Sequence, residues 1–444
     1  MENSFVVKGG VPLKGTISLE GAKNVALKVV VAALLFDKPI TLRNIPNIKD
    51  IRELFELFKE IGVKVDFNDN IVHIDPKSMN SHEVSLLFGS KIRASFLLFA
   101  PFLKKYGKAR IPNPGGCRIG ARPIDRMVHL MNAFGVKTDY DSLTGYYSAQ
   151  VIGEKLSPAD FTFPKKTHTG TELALMIAAS TEGHSVIRNS SLEPEIDELI
   201  ELLNNSGTHI TRDGEDIHID GTGQLTGMDD FSIQSDRNNA VTFAIFALAT
   251  QGDVTVKGAH KKSLRVFLEY LDKIGGGYEI VNDGIRFYYK QELASIDVMT
   301  STDPGFMTDW QAPWAVLMTQ AQGDSRIHET VFENRFGYVN ELNKLGAHIE
   351  YFRPKVEDPQ KVYQFDIEDV NSFNDEHQAI LIHGPTALHG GVLQVTDMRA
   401  GATLLIGACA AEGESVIVGA SEIDRGYEKI EERLTALGAD IRRV

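Results

Sequence analysis

Two hydrophobic patterns alternate along the 444 residues of the chain. In 51–61 the apolar residues recur at i, i+3, i+4 and i+7, which predicts a helix with one buried face and one face in water. The segment 25–36 is apolar almost throughout, which predicts a helix that is enclosed on all sides. Short runs rich in β-branched residues, such as 40–44, 185–189 and 415–418, predict strands between them. We therefore expect an α/β protein.

These elements recur six times. A glycine ends each amphipathic segment, where a left-handed backbone is typical of a helix C-terminus: Gly62, Gly135, Gly207, Gly275, Gly346 and Gly438. Successive glycines lie 73, 72, 68, 71 and 92 residues apart, and the long last step predicts a surface insertion around 357–377. An apolar helix precedes each glycine, with expected starts at Lys23, Arg93, Thr171, Arg237, Asp309 and Arg399.

The repeat predicts the architecture. Six βαβα-type units cannot share one doubly wound sheet, because their apolar helices need a common interior. Two lobes of three units each, with the apolar helices inside, satisfy this requirement. We expect one lobe over 23–233 and the other over 1–22 and 234–444. An open solenoid is the alternative, although it would bury the apolar helices less completely.

Composition and charge restrict the class of partner. The net charge of −14 argues against nucleic acid, which a protein of this charge would repel. Two cysteines are too few for a disulfide framework, so we expect a reducing compartment. The chain has neither a signal sequence nor an apolar run of about 18 residues, so we expect a cytoplasmic protein without membrane contact. The histidines show no HxxxH pair, so we expect no bound metal.

Cations begin four of the six apolar helices: Lys23, Arg93, Arg237 and Arg399. A cation at a helix N-terminus is unfavourable, because the positive end of the helix dipole lies there. An anionic ligand would explain the repetition, since helix N–H groups and a cation together bind anions. Solvated cap residues are the alternative.

One loop, 113–126, has no counterpart in the other repeats. It contains three glycines and two prolines and carries Cys117. Three arginines flank this cysteine: Arg118, Arg122 and Arg126. Nearby cations favour a thiolate, so Cys117 is the strongest candidate for a reactive side chain. Cys409 lies in an apolar helix and is expected to be structural.

Four motifs resemble those of one family: Gly21 to Asn24, Pro114 to Pro123, Glu329 to Phe336, and Ile423 to Glu428. They are similar to the motifs of the UDP-N-acetylglucosamine 1-carboxyvinyltransferases, which are enolpyruvyl transferases, and the resemblance covers nearly the whole chain. It implies a two-lobed inside-out α/β barrel. It also implies transfer of the enolpyruvyl group of phosphoenolpyruvate to the 3′-hydroxyl of UDP-N-acetylglucosamine with release of phosphate, the first committed step of peptidoglycan synthesis. We expect a monomer that needs no cofactor.

The resemblance implies a role for each residue that matches a motif. It makes Cys117 the general acid that protonates C3 of phosphoenolpyruvate and the site of a covalent phospholactoyl adduct. It makes Asp309 the acceptor of the 3′-hydroxyl proton, with Asp397 assisting at the reacting centre. The cations that would hold phosphoenolpyruvate are Lys23, Arg122 and Arg425. A plain helix cap is the alternative for Asp309.

The resemblance also implies contacts with substrate, above all with the nucleotide sugar. The residues concerned are Asn24, Arg93, Arg122, Pro123, Ile124, Asp125, Arg126, Lys165, Lys166, Thr167, His168, Asp309, Val331 and Arg399. The sequence departs from the family at Asn239, where an acidic residue is usual, at Glu422, where histidine is usual, and over 167–169. These departures concern the identity of the acceptor more than the chemistry.

Three other functions remain open from the sequence. An enolpyruvyl transferase acting on shikimate 3-phosphate or another nucleotide would share the fold, but the shikimate enzymes do not have the loop that carries Cys117. A protein similar to RNA-terminal phosphate cyclases would need a nucleotidylated histidine and a polyanion site, which the charge of −14 disfavours. A paralogue that only binds the substrates is the third.

Overall fold

The computed structural model describes residues 3–116, 119–120, 123–367 and 377–444. Contacts divide these residues into two compact units. The terminal unit comprises 3–20, 119–120 and 235–444, and the inserted unit comprises 21–116 and 123–234. Each unit combines helices with three separate sheets, so the predicted α/β class is confirmed.

The inserted unit has three inner helices, the second of which begins as a 3₁₀ segment: Lys23–Ala32, Arg93–Leu98 with Phe99–Tyr106, and His168–Ala179. Its outer helices are Lys49–Glu60, Asp125–Ala133 and Pro194–Asn204. Shorter helical segments are Ala33–Leu35, Pro76–Ser78 and Leu86–Gly89.

The three sheets of the inserted unit contain three or four strands each. The first has the spatial order Asp230–Ser232, Ile40–Arg43, Ile71–Asp75, Lys64–Asn68. The second has the order Lys108–Pro112, Tyr146–Val151, Val136–Asp141. The third has the order His209–Asp213, Asp216–Gly221, Gly183–Arg188, Asp160–Thr162.

The terminal unit repeats this plan. Its inner helices are Arg237–Ala249, Thr308–Thr319 and Met398–Ala410. Its outer helices are Arg265–Ile274, Val339–Lys344 and Ile430–Ala436, and its short ones are Pro359–Val362 and Ala420–Ile423.

The N-terminal strand of the chain lies inside a sheet of the terminal unit. That sheet has the order Val392–Gln394, Glu414–Val418, Ser4–Lys8, Asp440–Arg443. The second sheet has the order Gly277–Val281, Gly284–Tyr288, Asp253–Lys257, Lys14–Ser18. The third has the order Phe306–Met307, Val298–Ser301, Gly323–His328, Ala379–Gly384, His348–Phe352. Antiparallel pairing of Phe5 with Ile417 and Arg443 thus joins the two ends of the chain.

The two hydrophobic patterns correspond to two kinds of helix, as predicted. All 13 residues of Arg237–Ala249 are buried, because beyond its polar first turn this helix is apolar on almost every side. The outer helix Arg265–Ile274 buries only four side chains, which follow the i, i+1, i+4, i+7 spacing of one face. Each unit has its own hydrophobic core around its inner helices.

The six glycines that end the outer helices all have a left-handed backbone, with φ between 79° and 107°. This conformation is the one predicted for a helix C-terminus, and it strains other residues. Three predicted starts are displaced: the helices expected at Asp309 and Arg399 begin one residue earlier, and the largest shift is in the third inner helix, which begins at His168 rather than Thr171. The reason is a cap, since the N–H of Gly170 donates to Thr167 Oγ1 at 3.2 Å.

The insertion around 357–377 is more than a surface excursion. It contains the short helix Pro359–Val362 and buries Tyr363 and Phe365. Residues 368–376 of this segment lie outside the described part of the chain. Among the described helices, none has both the length and the apolar character that a membrane span requires.

Candidate active site

In the terminal unit, the carboxylate of Asp309 lies between two guanidinium groups. Its Oδ1 accepts a hydrogen bond from Nη2 of Arg335, and its Oδ2 lies 3.6 Å from Nη2 of Arg399. The side chain of Asp309 is 22% exposed, whereas those of Arg335 and Arg399 are 6% and 4% exposed. The site therefore presents an accessible carboxylate that is held by two buried guanidinium groups.

Asp309 does not cap its helix. The helix begins at Thr308, and the capping position is held by Met307, which makes no side-chain bond. Thr308 Oγ1 instead accepts from Nε of Arg335 at 3.3 Å and donates to Oε2 of Glu329 at 2.8 Å. The polar groups at this helix start thus hold Arg335 beside the carboxylate of Asp309. Because Met307 occupies the capping position, the alternative that Asp309 is a plain helix cap is wrong.

Glu329 is a buried acid to which the sequence analysis gave no role. Its Oε1 accepts the backbone N–H groups of Val331 at 2.7 Å and Phe332 at 3.1 Å. Burial raises the pKa of Glu329 above its usual value, against the opposing effect of Arg335. Glu329 therefore shapes the turn that carries Val331, which the resemblance implies as a contact of the nucleotide sugar. The sequence signal that could have identified Glu329 and Arg335 is the family motif Glu329 to Phe336, which contains both residues.

Arg399 is held by neutral groups as well as by Asp309. Its Nη1 donates to Oη of Tyr427 at 2.7 Å and to Oδ1 of Asn239 at 3.2 Å. The amide of Asn239 in turn donates to Oε1 of Glu20 at 2.6 Å. Burial opposes the charge on Arg399, but Tyr427 and Asp309 raise the pKa of its guanidinium above the ordinary value.

This geometry explains the departure from the family at position 239. An amide can accept a hydrogen bond from Arg399 and donate one to Glu20 at the same time. A carboxylate at this position could not donate to Glu20, and the two acids would repel each other. Asn239 thus fits the buried Glu20 beside it.

Asp397 caps an inner helix in this structure. Its Oδ1 accepts the N–H groups of Arg399 at 2.9 Å and Ala400 at 3.2 Å. Asp236 caps the helix Arg237–Ala249 in the same way. The role at the reacting centre that the resemblance implies for Asp397 stays a prediction.

Two further cations of the terminal unit have acidic partners. Nη1 of Arg425 lies 3.1 Å from Oε2 of Glu422. Glu422, the second departure from the family, thus provides an acidic partner for Arg425, which is predicted to bind phosphoenolpyruvate. Nη1 of Arg237 lies 2.7 Å from Oδ2 of Asp303, and its side chain is buried. Arg237 is therefore not a solvated helix cap.

In the inserted unit, the first inner helix carries two buried lysines. Nζ of Lys23 lies 2.8 Å from Oδ2 of Asp50, and both side chains are less than a tenth exposed. Nζ of Lys28 lies 2.8 Å from Oε1 of Glu172 and donates to the backbone carbonyl of Asn24 at 3.1 Å. Both lysines are thus held by acids of the protein. Asp50, Lys28 and Glu172 were missed by the sequence analysis, because their pairing depends on the packing of separate helices.

His168 joins the second of these pairs. Its Nε2 lies 3.2 Å from Oε1 of Glu172, whose side chain is fully buried. Burial raises the pKa of Glu172 to about 7, although Lys28 lowers it. A chain of polar groups therefore connects His168, implied as a contact of the nucleotide sugar, with Asn24 on the first inner helix.

The structure brings together two stretches implied to bind the nucleotide sugar. Nη1 of Arg126 donates to the carbonyl of Lys166 at 3.4 Å, and Nζ of Lys166 lies 2.5 Å from Oε1 of Glu215. Thr167 caps the helix that begins at His168. Among the other residues implied in this unit, Asn24, Arg93, Pro123 and Lys165 are half-buried, Asp125 is exposed, and Ile124 is buried.

Cys117 and Arg122 lie outside the described residues, as does Arg118. Of the same loop, Ile119 and Gly120 belong to the terminal unit. The carbonyl of Ile119 accepts the N–H of Asn334 at 3.2 Å, and a Cβ at Gly120 would lie 1.8 Å from the carboxylate of Glu333. Gly120 has a φ of 150°, which other residues rarely adopt, so glycine is favoured at this position.

Cys409 is buried in its inner helix, as predicted. Burial raises the pKa of its thiol to about 12. A thiol that stays protonated at neutral pH is a poor nucleophile, so Cys409 is structural.

Comparisons with known proteins agree with these motifs. The model of the EPSP synthase (3-phosphoshikimate 1-carboxyvinyltransferase) family matches residues 7–434. A UDP-N-acetylglucosamine 1-carboxyvinyltransferase of Idiomarina loihiensis is 36% identical over 444 residues, which cover 100% of this chain and 99% of the relative. UDP-N-acetylglucosamine 1-carboxyvinyltransferase 3 of Caldanaerobacter subterraneus subsp. tengcongensis is 37% identical over 442 residues, with 99% of each chain covered.

Two solved structures show the same fold at lower identity. The enolpyruvyl transferase NikO from Streptomyces tendae superimposes with a TM-score of 0.85 at 22% identity, covering 100% of this chain and 99% of the other. EPSP synthase from Acinetobacter baumannii gives 0.72 at 16% identity, with coverage of 99% and 100%. The predicted inside-out α/β barrel fold is thereby confirmed. The chain belongs to the enolpyruvyl transferase family, among the UDP-N-acetylglucosamine 1-carboxyvinyltransferases.

Proposed function

We propose that this chain transfers the enolpyruvyl group of phosphoenolpyruvate to the 3′-hydroxyl of UDP-N-acetylglucosamine and releases phosphate, as a cytoplasmic monomer in peptidoglycan synthesis. The observation that carries the proposal is the carboxylate of Asp309, accessible and held by Arg335 and Arg399. A proton acceptor in a fixed position is what the attack of an alcohol requires. The full-length relatives carry this activity in their names.

The reaction proceeds by addition and elimination. The sugar oxygen forms a bond to C2 while C3 gains a proton, which gives a tetrahedral ketal. Phosphate then leaves C2, and C3 loses a proton to restore the double bond. In this scheme Asp309 accepts the proton of the 3′-hydroxyl as the C–O bond forms. Cys117 supplies the proton to C3 and forms the phospholactoyl adduct, roles that rest on the family resemblance alone.

The cations of both units serve the phosphates. Phosphoenolpyruvate carries a phosphate and a carboxylate, so Lys23, Arg122 and Arg425 are proposed to bind it. Lys23 and Arg425 are each fixed by an acid of their own unit, which limits the side-chain freedom lost on binding. Fixed cations also stabilise charge that moves onto the leaving phosphate.

Several of the residues proposed to bind the nucleotide sugar contact one another or lie at inner-helix starts. Arg126 and Lys166 form one such contact, and Thr167 and His168 begin the adjacent helix. The helix start offers N–H groups to a diphosphate. Asn24, Arg93, the stretch 123–125, Lys165, Val331 and Arg399 complete the proposed substrate contacts.

An acceptor panel tests the proposal. Release of phosphate from phosphoenolpyruvate is measured with UDP-N-acetylglucosamine, shikimate 3-phosphate and UMP in turn, using wild type, Cys117→Ala and Asp309→Ala. We expect turnover with the sugar nucleotide alone and a large loss in both variants. Turnover with shikimate 3-phosphate instead would establish the other acceptor class. No release with any acceptor, or unchanged turnover in both variants, would overturn the proposal.

A second experiment concerns Cys117. Fosfomycin, an epoxide that mimics phosphoenolpyruvate, is expected to alkylate this thiol in the presence of the sugar nucleotide, because its flanking arginines favour the thiolate. Mass spectrometry of Cys117→Ala, which retains Cys409, provides the control. An unmodified wild-type mass would contradict a reactive Cys117.

A further inference from the structure

Two histidines and a glutamate lie together on the five-stranded sheet of the terminal unit. One ligand atom of each of His348, Glu350 and His383 lies within 4.8 Å of the others. Strand register produces this grouping, because His348 of the strand His348–Phe352 is paired directly with His383 of Ala379–Gly384. Glu350 stands two residues from His348 on the same strand and therefore on the same face.

The distances suit a shared ligand. The two imidazole rings have centroids 4.4 Å apart and are inclined by 38°. Nε2 of His348 lies 3.1 Å from Oε1 of Glu350. The side chains of His348 and Glu350 are 60% exposed and that of His383 is 30% exposed, so their donor atoms can adjust to an incoming ion.

A second acid orients one of the histidines. Asp324 is paired with His383 on the opposite side, and its Oδ1 lies 2.8 Å from Nδ1 of His383. A carboxylate bound to Nδ1 favours the tautomer that carries the proton there and leaves the Nε2 lone pair available. Histidines that bind metals in proteins commonly have such a partner. The row His348, His383, Asp324 thus contains both ligands and an orienting group.

We propose that His348, Glu350 and His383 bind one divalent transition-metal ion of the zinc class, with Asp324 positioning His383. Two imidazoles and one carboxylate are a donor set that Zn²⁺ accepts in proteins, with water completing the tetrahedron. Imidazole disfavours Mg²⁺ and Ca²⁺, which prefer oxygen ligands. The proposal is independent of the proposed transfer reaction, which assigns no role to these residues.

The ion would join two strands that lie at the ends of a long connection in this unit. Residues 353–378 lead from the strand of His348 and Glu350 to the strand of His383. A bond across the ends of such a connection restricts the unfolded chain more than the folded one. Zinc would therefore stabilise the terminal unit at this sheet. The 32 residues between Glu350 and His383 in the sequence explain why spacing alone predicted no metal.

The inserted unit offers a matched comparison. In its sheet His209 and His184 are both paired with Asp220, so the acid occupies the central strand and separates the two histidines. Nδ1 of His184 lies 2.7 Å from Oδ1 of Asp220, much as His383 does from Asp324. The same residue types are present, but the order His, Asp, His separates these two imidazoles, and the ring centroid of the nearby His218 lies 5.9 Å from that of His184, farther than the 4.4 Å between His348 and His383.

The experiment is a competition titration of the full chain with Zn²⁺ against a chelating dye, with excess Mg²⁺ present. We expect one Zn²⁺ bound at this site, binding at least about tenfold weaker in His348→Ala and His383→Ala, and about tenfold weaker in Asp324→Asn. His184→Ala should bind like wild type. The melting temperature is measured alongside the titration. Zn²⁺ should raise it in wild type and in His184→Ala, but not in His383→Ala.

Equal binding by wild type and both single histidine variants would overturn the proposal, because Zn²⁺ would then be held elsewhere. An equal loss in His184→Ala would also overturn it, because the effect would not depend on the paired histidines. All these substitutions are at exposed or half-exposed positions of sheets, and circular dichroism verifies that each variant is folded.

Discussion

The arrangement of charge around Asp309 in the terminal unit is the opposite of that around the two buried lysines of the inserted unit. In the terminal unit an acid lies between cations, as Asp309 does between Arg335 and Arg399. In the inserted unit cations lie against acids, as Lys23 does against Asp50 and Lys28 against Glu172. One repeated scaffold thus holds a carboxylate ready to accept a proton in one unit and holds lysines in the other.

Exposure separates these groups further. Asp309 is 22% exposed, so a hydroxyl can reach it. Glu172 is fully buried, which removes its carboxylate from direct contact with a ligand. The buried pair therefore acts on the position of its neighbours, while Asp309 is available for chemistry. The predictions below separate these two kinds of role.

The largest expected effect is on catalysis by Asp309. Asp309→Asn keeps the shape of the side chain but cannot accept the hydroxyl proton, so kcat should fall about 10²-fold to 10⁴-fold. Steady-state phosphate release measures it. Asp297→Asn provides the control, because Asp297 is an exposed acid of the same unit that pairs with Arg326. Equal kcat values in the two variants would contradict the role of Asp309.

The buried pair of the inserted unit should dominate stability. Glu172→Met leaves the buried charge of Lys28 without its partner, which costs about 3–5 kcal/mol. Lys28→Met should cost less, because Glu172 can bind a proton once the lysine is removed. The double replacement removes both charges and should be close to wild type or more stable. Denaturant unfolding of all four proteins gives the coupling energy. A double variant as unstable as the two single losses added together would show that the two side chains are not coupled.

A pH profile sharpens the same comparison. The pKa of Glu172 is raised from 4.5 to about 7 by burial, so the folded state binds more protons than the unfolded state between these values. The stabilisation from this proton is complete below about pH 4.5 and is lost as the pH rises through about 7.

The unfolding free energy of wild type should therefore fall relative to that of Glu172→Gln as the pH rises from about 4.5 to about 7. Comparison with the variant cancels the contributions of Glu20 and Glu329, whose pKa values are also raised by burial. Parallel stability profiles of the two proteins would be inconsistent with a titrating Glu172.

The smallest effect concerns Asp397. Asp397→Ala removes the cap of the helix Met398–Ala410 and should cost about 0.5–2 kcal/mol, whereas Asp397→Asn should retain most of the cap. Thermal unfolding measures both. If Asp397→Asn unfolds like wild type but its kcat falls, Asp397 also acts at the reacting centre. If kcat is also retained, capping is its whole role.

The repeat, the inner helices and the glycines that end the outer helices could be predicted because they depend on local periodicity and backbone conformation. The partners of the functional side chains could not. Asp50, Glu172 and Arg335 meet their partners only after separate elements pack, and no spacing encodes such meetings. Asn239 shows the same limit, since its fit becomes clear only beside Glu20 and Arg399.

The metal ligands illustrate strand register. His348 and His383 are distant in the sequence and become neighbours through one pairing in the sheet. A shift of that register by one residue would place them on opposite faces. Pattern reasoning establishes that strands exist, but it does not fix which residues lie opposite each other.

The most direct test of the opposed charge arrangement is to separate kcat from KM in two variants. With UDP-N-acetylglucosamine saturating, Asp309→Asn should lower kcat and change the KM for phosphoenolpyruvate by no more than about threefold. Lys23→Met should raise that KM by at least about tenfold, because it removes a cation proposed to bind the phosphate. The reverse result, with the KM effect in Asp309→Asn and an unchanged KM in Lys23→Met, would contradict the division of roles between the two units.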